Sequence, residues 1–186
     1  MSNPLRILQT LDRHLTRETD ITLFGRAALA LGFQNAPADF HNTRDVDAIL
    51  SFEWLSSKDE NIDFWLAQQS TNAELSSDGL YLTHLFRESD VIVQPDWPAR
   101  RVRLSLPLTR LAVYRPATVD LILTKMARGD EQDLEDIRFL LSQDPIPPQE
   151  LEAAFSRARV PEVPEIRELF LAARPKVLKL AQDHMP

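Results

Sequence analysis

The chain contains no cysteine, which excludes disulfides, thiolate metal sites and cysteine nucleophiles. No apolar run reaches membrane-spanning length, and the first residues, MSNPLRILQTLDRHL, lack a secretory apolar core. Together these absences predict a cytoplasmic protein with no membrane partner. A basic surplus is missing too: the net charge of −7 argues against strong nonspecific binding of nucleic acid. No H-E-x-x-H, G-x-S-x-G, Walker or dinucleotide fingerprint is present. The four histidines, His14, His41, His84 and His184, show no metal-ligand spacing. Among them His41 alone, in the loop before an acidic strand, is placed where a substrate could approach. There is no internal repeat and no low-complexity tract.

What remains is an ordinary globular composition, 44% hydrophobic and 26% charged over 186 residues. That is enough for one substantial core, or one domain with a helical extension. Leu5, Leu8, Leu11 and Leu15 form a helical stripe near the start. A strand is predicted at residues 21–24, a helix at 27–33, and a second strand at 46–51. Residues 53–70 read as a helix bent or broken near 56–59. Further strands are predicted at 80–86 and 90–94, the latter buried on both faces, and a short strand pair at 102–106 and 111–114 around Pro107. Helices follow at about 117–126 and 132–141, separated by a turn at Gly129. The segment DPIPP, residues 144–148, marks a boundary, and the chain beyond it reads as helical, with Pro175 kinking or splitting the last helix.

The most informative feature is TRDVDAIL, in which Asp45 and Asp47 stand one residue apart. Strand side chains alternate faces, so the two carboxylates project into one shared space. Two like charges that close repel unless a cation lies between them, and hard oxygen donors suit magnesium. On spacing alone, a solvated acidic pair at a strand end is the plainer reading. Upstream, Gly25 lies between an apolar strand and an apolar helix. A bare turn at a helix start offers free amides and the positive end of the dipole to a phosphate.

The order strand, glycine turn, helix, D-x-D strand resembles the nucleotidyltransferase fold of the DNA polymerase β superfamily. The later run DLILTKMARGDEQDLEDIRFLLS, residues 120–142, is similar to the lysine helix and the following acidic helix of AbiEii-type toxin nucleotidyltransferases and their uncharacterised bacterial relatives. The resemblance covers roughly residues 20–142. It implies an α/β fold with a small mixed sheet flanked by helices, an α/β core over residues 1–116, and a helical C-terminal part over 117–186. It also implies Mg2+, as two ions, with a nucleoside triphosphate (NTP) as substrate. Asp45 and Asp47 become metal ligands and catalytic residues. A third carboxylate is expected on a neighbouring strand, with Asp90 ranked ahead of Glu88 and Asp96; a turn aspartate after Ser89 explains Asp90 equally well.

Nucleotide binding is assigned to Gly25, Arg26, Arg44, Lys125, Asp133 and Asp136. Arg26 stands where relatives have glycine followed by Ser or Thr, and it would replace that hydroxyl with a bidentate phosphate contact, or pair with a surface acid instead. Lys125 would reach the triphosphate, or snorkel along its helix. Asp133 and Asp136 share a helix face, and Asp133 also suits the helix dipole. Between Trp97 and Val119 lie five arginines, Arg100, Arg101, Arg103, Arg110 and Arg115, and no acid. They fit an RNA backbone, an acidic partner protein, or the acidic run 130–136. The function expected is transfer of a nucleoside monophosphate from an NTP to an acceptor hydroxyl, on an RNA 3′ end or a protein side chain. The resemblance places this in a toxin or defence setting with a cognate antitoxin. The alternative is a non-catalytic nucleotidyltransferase-like binding or regulatory module.

Overall fold

The computed structural model describes residues 2–57 and 61–185. Two compact units share the chain: Met1–Arg87 with Arg101–Arg115, and Glu88–Arg100 with Pro116–Pro186.

The first unit opens with helix α1 (Asn3–His14), started by Pro4 in its first turn, where a missing N–H costs nothing. Its apolar stripe is broader than the four leucines: Ile7, Leu8 and Leu11 are fully buried, each contributing about 1.5–3 kcal/mol. Strand β1 (Thr19–Phe24) leads directly into α2 (Gly25–Gly32), then β2 (Asp45–Leu50), α3 (Phe52–Ser56) and α4 (Ile62–Leu75). Ser51 caps α3 by accepting the Trp54 N–H at 3.1 Å. The expected helix break at 56–59 falls between α3 and α4, and residues 58–60 lie outside the described residues. Strands β3 (Tyr81–Arg87), β4 (Val102–Arg103) and β5 (Leu111–Arg115) complete the unit.

The five strands form one mixed sheet in the order β3-β2-β1-β5-β4, flanked by helices. β1 runs antiparallel to β2 and parallel to β5; β2 and β3 are parallel; β4 and β5 are antiparallel. The strand pair around Pro107 is therefore present, though β4 is only two residues long. Asp12, buried in α1, fastens the entry to β5 by accepting the backbone N–H groups of Thr109, Arg110 and Leu111.

The β2–β3 ladder carries an irregularity. Val46 pairs with Leu82 but Ala48 pairs with Leu85, so Asp47 alone stands opposite both Thr83 and His84. One extra residue in a strand is a β-bulge, which re-aims the side chains beyond it.

The second unit is helical: α5 (Thr118–Lys125), α6 (Glu131–Gln143), α7 (Pro148–Arg157) and α8 (Pro164–Asp183). Gly129 turns between α5 and α6 with φ +61°, a left-handed conformation that glycine adopts without penalty. Asp130 then caps α6 through the Asp133 N–H at 2.8 Å. Helix α8 continues through Pro175, so that proline does not split it. The strand expected at 90–94 is a correction. Residues 91–94 are buried, yet they join no sheet; Val93 makes a single antiparallel bridge to Arg159. The reason is local competition for hydrogen bonds: the Asp120 carboxylate takes the Gln94 N–H at 2.8 Å, and Pro95 has no N–H to donate.

Candidate metal centre

Alternation along β2 buries Val46 and Ala48 and leaves Asp45 and Asp47 half-buried on the other face. The bulge then brings a third side chain to them. One ligand atom from each of Asp45, Asp47 and His84 lies within 4.8 Å of the others. Each is braced from the side. The Thr43 hydroxyl donates to Asp45 Oδ1 at 2.8 Å, His84 Nδ1 lies 3.0 Å from Asp47 Oδ1, and the His84 ring stacks on Phe86 with centroids 5.8 Å apart.

Gly25 closes the other side. Its φ is +64°, and a β-carbon there would lie 3.2 Å from Asp47 Oδ2. The glycine therefore keeps space open against a carboxylate oxygen, which a larger residue would crowd. Gly25 is also the first residue of α2, and the preceding cap residue is Phe24, whose side chain has no acceptor for the first amides. The start of α2 is also the positive end of its helix dipole, which favours an anion. Arg26 follows; its Nη1 lies 3.2 Å from Asp39 Oδ2, and its guanidinium sits 4.9 Å from the centre of the Phe40 ring. Arg44 is exposed beside Asp45. His41 lies half-buried in the 3-10 turn Phe40–Asn42.

Two carboxylates and an imidazole, with space against one carboxylate oxygen, fit a divalent cation in their donor chemistry. His84 is the residue that sequence reasoning missed. Strict alternation puts it on the face of the buried Leu82, and only the bulge moves it beside Asp47.

The other expected site residues lie in the second unit. Asp90 is exposed in the 3-10 turn Glu88–Asp90 and accepts from the Ser89 hydroxyl at 3.2 Å. Glu88 is buried and accepts the Trp97 indole N–H at 2.7 Å. Asp96 pairs with Arg100. Lys125, Asp133 and Asp136 do come together, but on one another: the buried Lys125 Nζ binds Asp136 and reaches Asp133 Oδ1 at 3.3 Å. Arg128 adds a fork to Asp133, with both contacts at 3.0 Å. That fork, set against the cost of burial, raises the pKa of the Arg128 guanidinium.

The arginine run is partly spent internally. Arg100 pairs with Asp120 at 2.9 Å, and Arg101 with Asp20 at 2.6 Å while stacking on Tyr114. Burial pushes the Asp120 carboxyl up, although the Gln94 amide and Arg100 oppose it. Asp133 and Asp136 in the acidic run are instead matched by Lys125 and Arg128.

No curated protein and no solved structure matches the chain. No helix among the described residues is long and apolar enough to cross a membrane. A family model does match residues 5–146, a span that includes the glycine turn, the two aspartates and His84. The chain belongs to the family described as "Nucleotidyltransferase of unknown function (DUF6036)".

Proposed function

We propose that this protein is a divalent-metal-dependent nucleotidyltransferase that moves a nucleoside monophosphate from an NTP to an acceptor hydroxyl. The observation that supports this reading best is the convergence of Asp45, Asp47 and His84 beside the Gly25 turn. A family description of nucleotidyl transfer in general gives that convergence a use.

In this reading Asp45 and Asp47 hold the ion, Mg2+ being the choice for their oxygens alone. The bound metal would supply charge stabilisation on the triphosphate and a lowered pKa at the acceptor hydroxyl. The Gly25 turn, at the positive end of α2, receives phosphate oxygens, while Arg26 and Arg44 supply positive charge. The acceptor oxygen bonds to the α-phosphorus, the bridging α–β bond breaks, pyrophosphate leaves, and the hydroxyl proton passes to water. An RNA 3′ end or a protein hydroxyl serves as acceptor. The toxin setting, and the parts assigned to Asp90, Lys125, Asp133 and Asp136, rest on resemblance alone.

The test is incubation with each labelled NTP, a divalent metal, and a pool of cellular RNA and protein, with Asp47→Asn in parallel. Label transferred by the wild type and not by the variant supports the proposal and identifies nucleotide and acceptor class. Bound triphosphate without transfer for any nucleotide replaces it with the binding-module reading.

A further inference from the structure

We propose that His84 is itself a metal ligand, taking the place expected for a third carboxylate, and that it tunes the centre towards Mn2+ over Mg2+. This rests on the metal-dependent reading above and concerns the same ion.

Three observations carry it. The first is the bulge: because Asp47 stands opposite both Thr83 and His84, the chain spends an irregularity that turns an imidazole towards the acidic pair. Bulges that re-aim a side chain are features of functional sites. The second is the support around the ring. Phe86 stacks against it, the Thr83 hydroxyl lies 3.2 Å from Nδ1, and Asp47 Oδ1 lies 3.0 Å from the same nitrogen. Nδ1 is thus the nitrogen that faces the acids, at a separation from Asp47 Oδ1 that suits two neighbouring donors on one ion; with the ring proton on Nε2, the Nδ1 lone pair is directed at that ion. The third is exposure: the His84 side chain is 60% accessible, open to water and to a substrate.

The consequence is chemical. A third carboxylate would give the centre three negative charges and an all-oxygen donor set, which suits Mg2+. Neutral imidazole leaves two charges and introduces a nitrogen donor, which Mg2+ uses poorly and first-row transition ions accept. Mn2+ tolerates carboxylate, water and imidazole together, so the mixed set favours it.

The experiment adds Mn2+ alone to the purified protein and follows binding and coordination by electron paramagnetic resonance, with Mg2+ as competitor. Wild type is expected to bind Mn2+ with the pulsed-resonance signature of an imidazole nitrogen. His84→Asp should keep Mn2+ but lose that signature, and the preference for Mn2+ over Mg2+ should fall on the order of tenfold. His84→Gln should lose the signature as well, while circular dichroism confirms the fold of each variant. Mn2+ that is bound by wild type and lost in Asp47→Asn, yet shows no imidazole coupling, overturns the role of His84 and leaves the metal-dependent reading standing. An unchanged preference in His84→Asp does the same. Absence of any Mn2+ or Mg2+ binding in wild type overturns both.

Discussion

Gly25 and Asp47 are in near contact: a β-carbon on the glycine would lie 3.2 Å from the aspartate's Oδ2, and the glycine backbone is left-handed with φ +64°. Both the conformation and the space therefore require glycine. Gly25→Ala is expected to lower stability by about 1–2 kcal/mol, the cost of a left-handed L-residue, and to weaken divalent-ion binding by displacing the carboxylate. Urea denaturation and a metal titration on the same preparation check the two parts.

Asp45 and Asp47 place like charge within a few ångströms, and such pairs cost stability in the absence of a cation. Asp45→Asn and Asp47→Asn should abolish nucleotidyl transfer without loss of fold. In metal-free buffer each is expected to gain about 0.5–1 kcal/mol, the pattern of a site that trades stability for function. Thermal melting with and without added metal measures it: the gain should vanish when metal saturates the wild type. A large loss of stability in metal-free buffer would assign the pair a structural part instead.

Asp12 ties α1 to the start of β5. Burial works to raise its carboxyl, but the amides of Thr109, Arg110 and Leu111, helped by the Arg110 charge, outweigh burial and hold its pKa below the ordinary aspartate value. A carboxyl depressed in the folded state contributes stability that is fully present above its unfolded pKa and is lost as pH falls through the folded one. Asp12→Asn should cost about 1.5–3 kcal/mol at neutral pH, because one amide oxygen cannot serve three donors. The gap between wild type and variant should narrow as pH drops below about 3.9. Urea denaturation at a series of pH values reads this directly.

Lys125 is buried against Asp133 and Asp136, whose exposures are 1% and 0%. Removing one member of a buried ionic cluster leaves uncompensated charge. Lys125→Met is expected to cost about 3–5 kcal/mol, with part recovered in Lys125→Met combined with Asp136→Leu. A double-mutant cycle in urea gives the coupling. Full stability in Lys125→Met, with NTP affinity lost, would instead assign the lysine to the nucleotide.

The failures of sequence reading have physical causes. Residues 90–94 carry the apolar pattern of a buried strand, but the Gln94 amide is claimed by Asp120, 26 residues away, and no local pattern reports a distant carboxylate. Pro175 is expected to kink or split its helix; the split does not occur, because a long helix whose Phe170, Ala173, Val177 and Ala181 are buried is held by packing that outweighs one lost hydrogen bond. Pairing with the acidic run 130–136 is one of three readings the five arginines allow; Arg100 finds Asp120 and Asp96, and Arg101 finds Asp20, and those pairs depend on which elements meet.

What the sequence alone determined is what lies within a few residues along the chain. Asp45 and Asp47 share a face because strand geometry has a period of two, and Gly25 turns because only glycine takes that backbone cheaply. The tertiary structure alone decided the third member. His84 lies 37 residues from Asp47, and it reaches the site through the parallel pairing of β2 with β3 and one bulge in that pairing. Register and bulges are properties of hydrogen bonds between distant segments. The alternation of a single strand, which places His84 with Leu82, points it the wrong way.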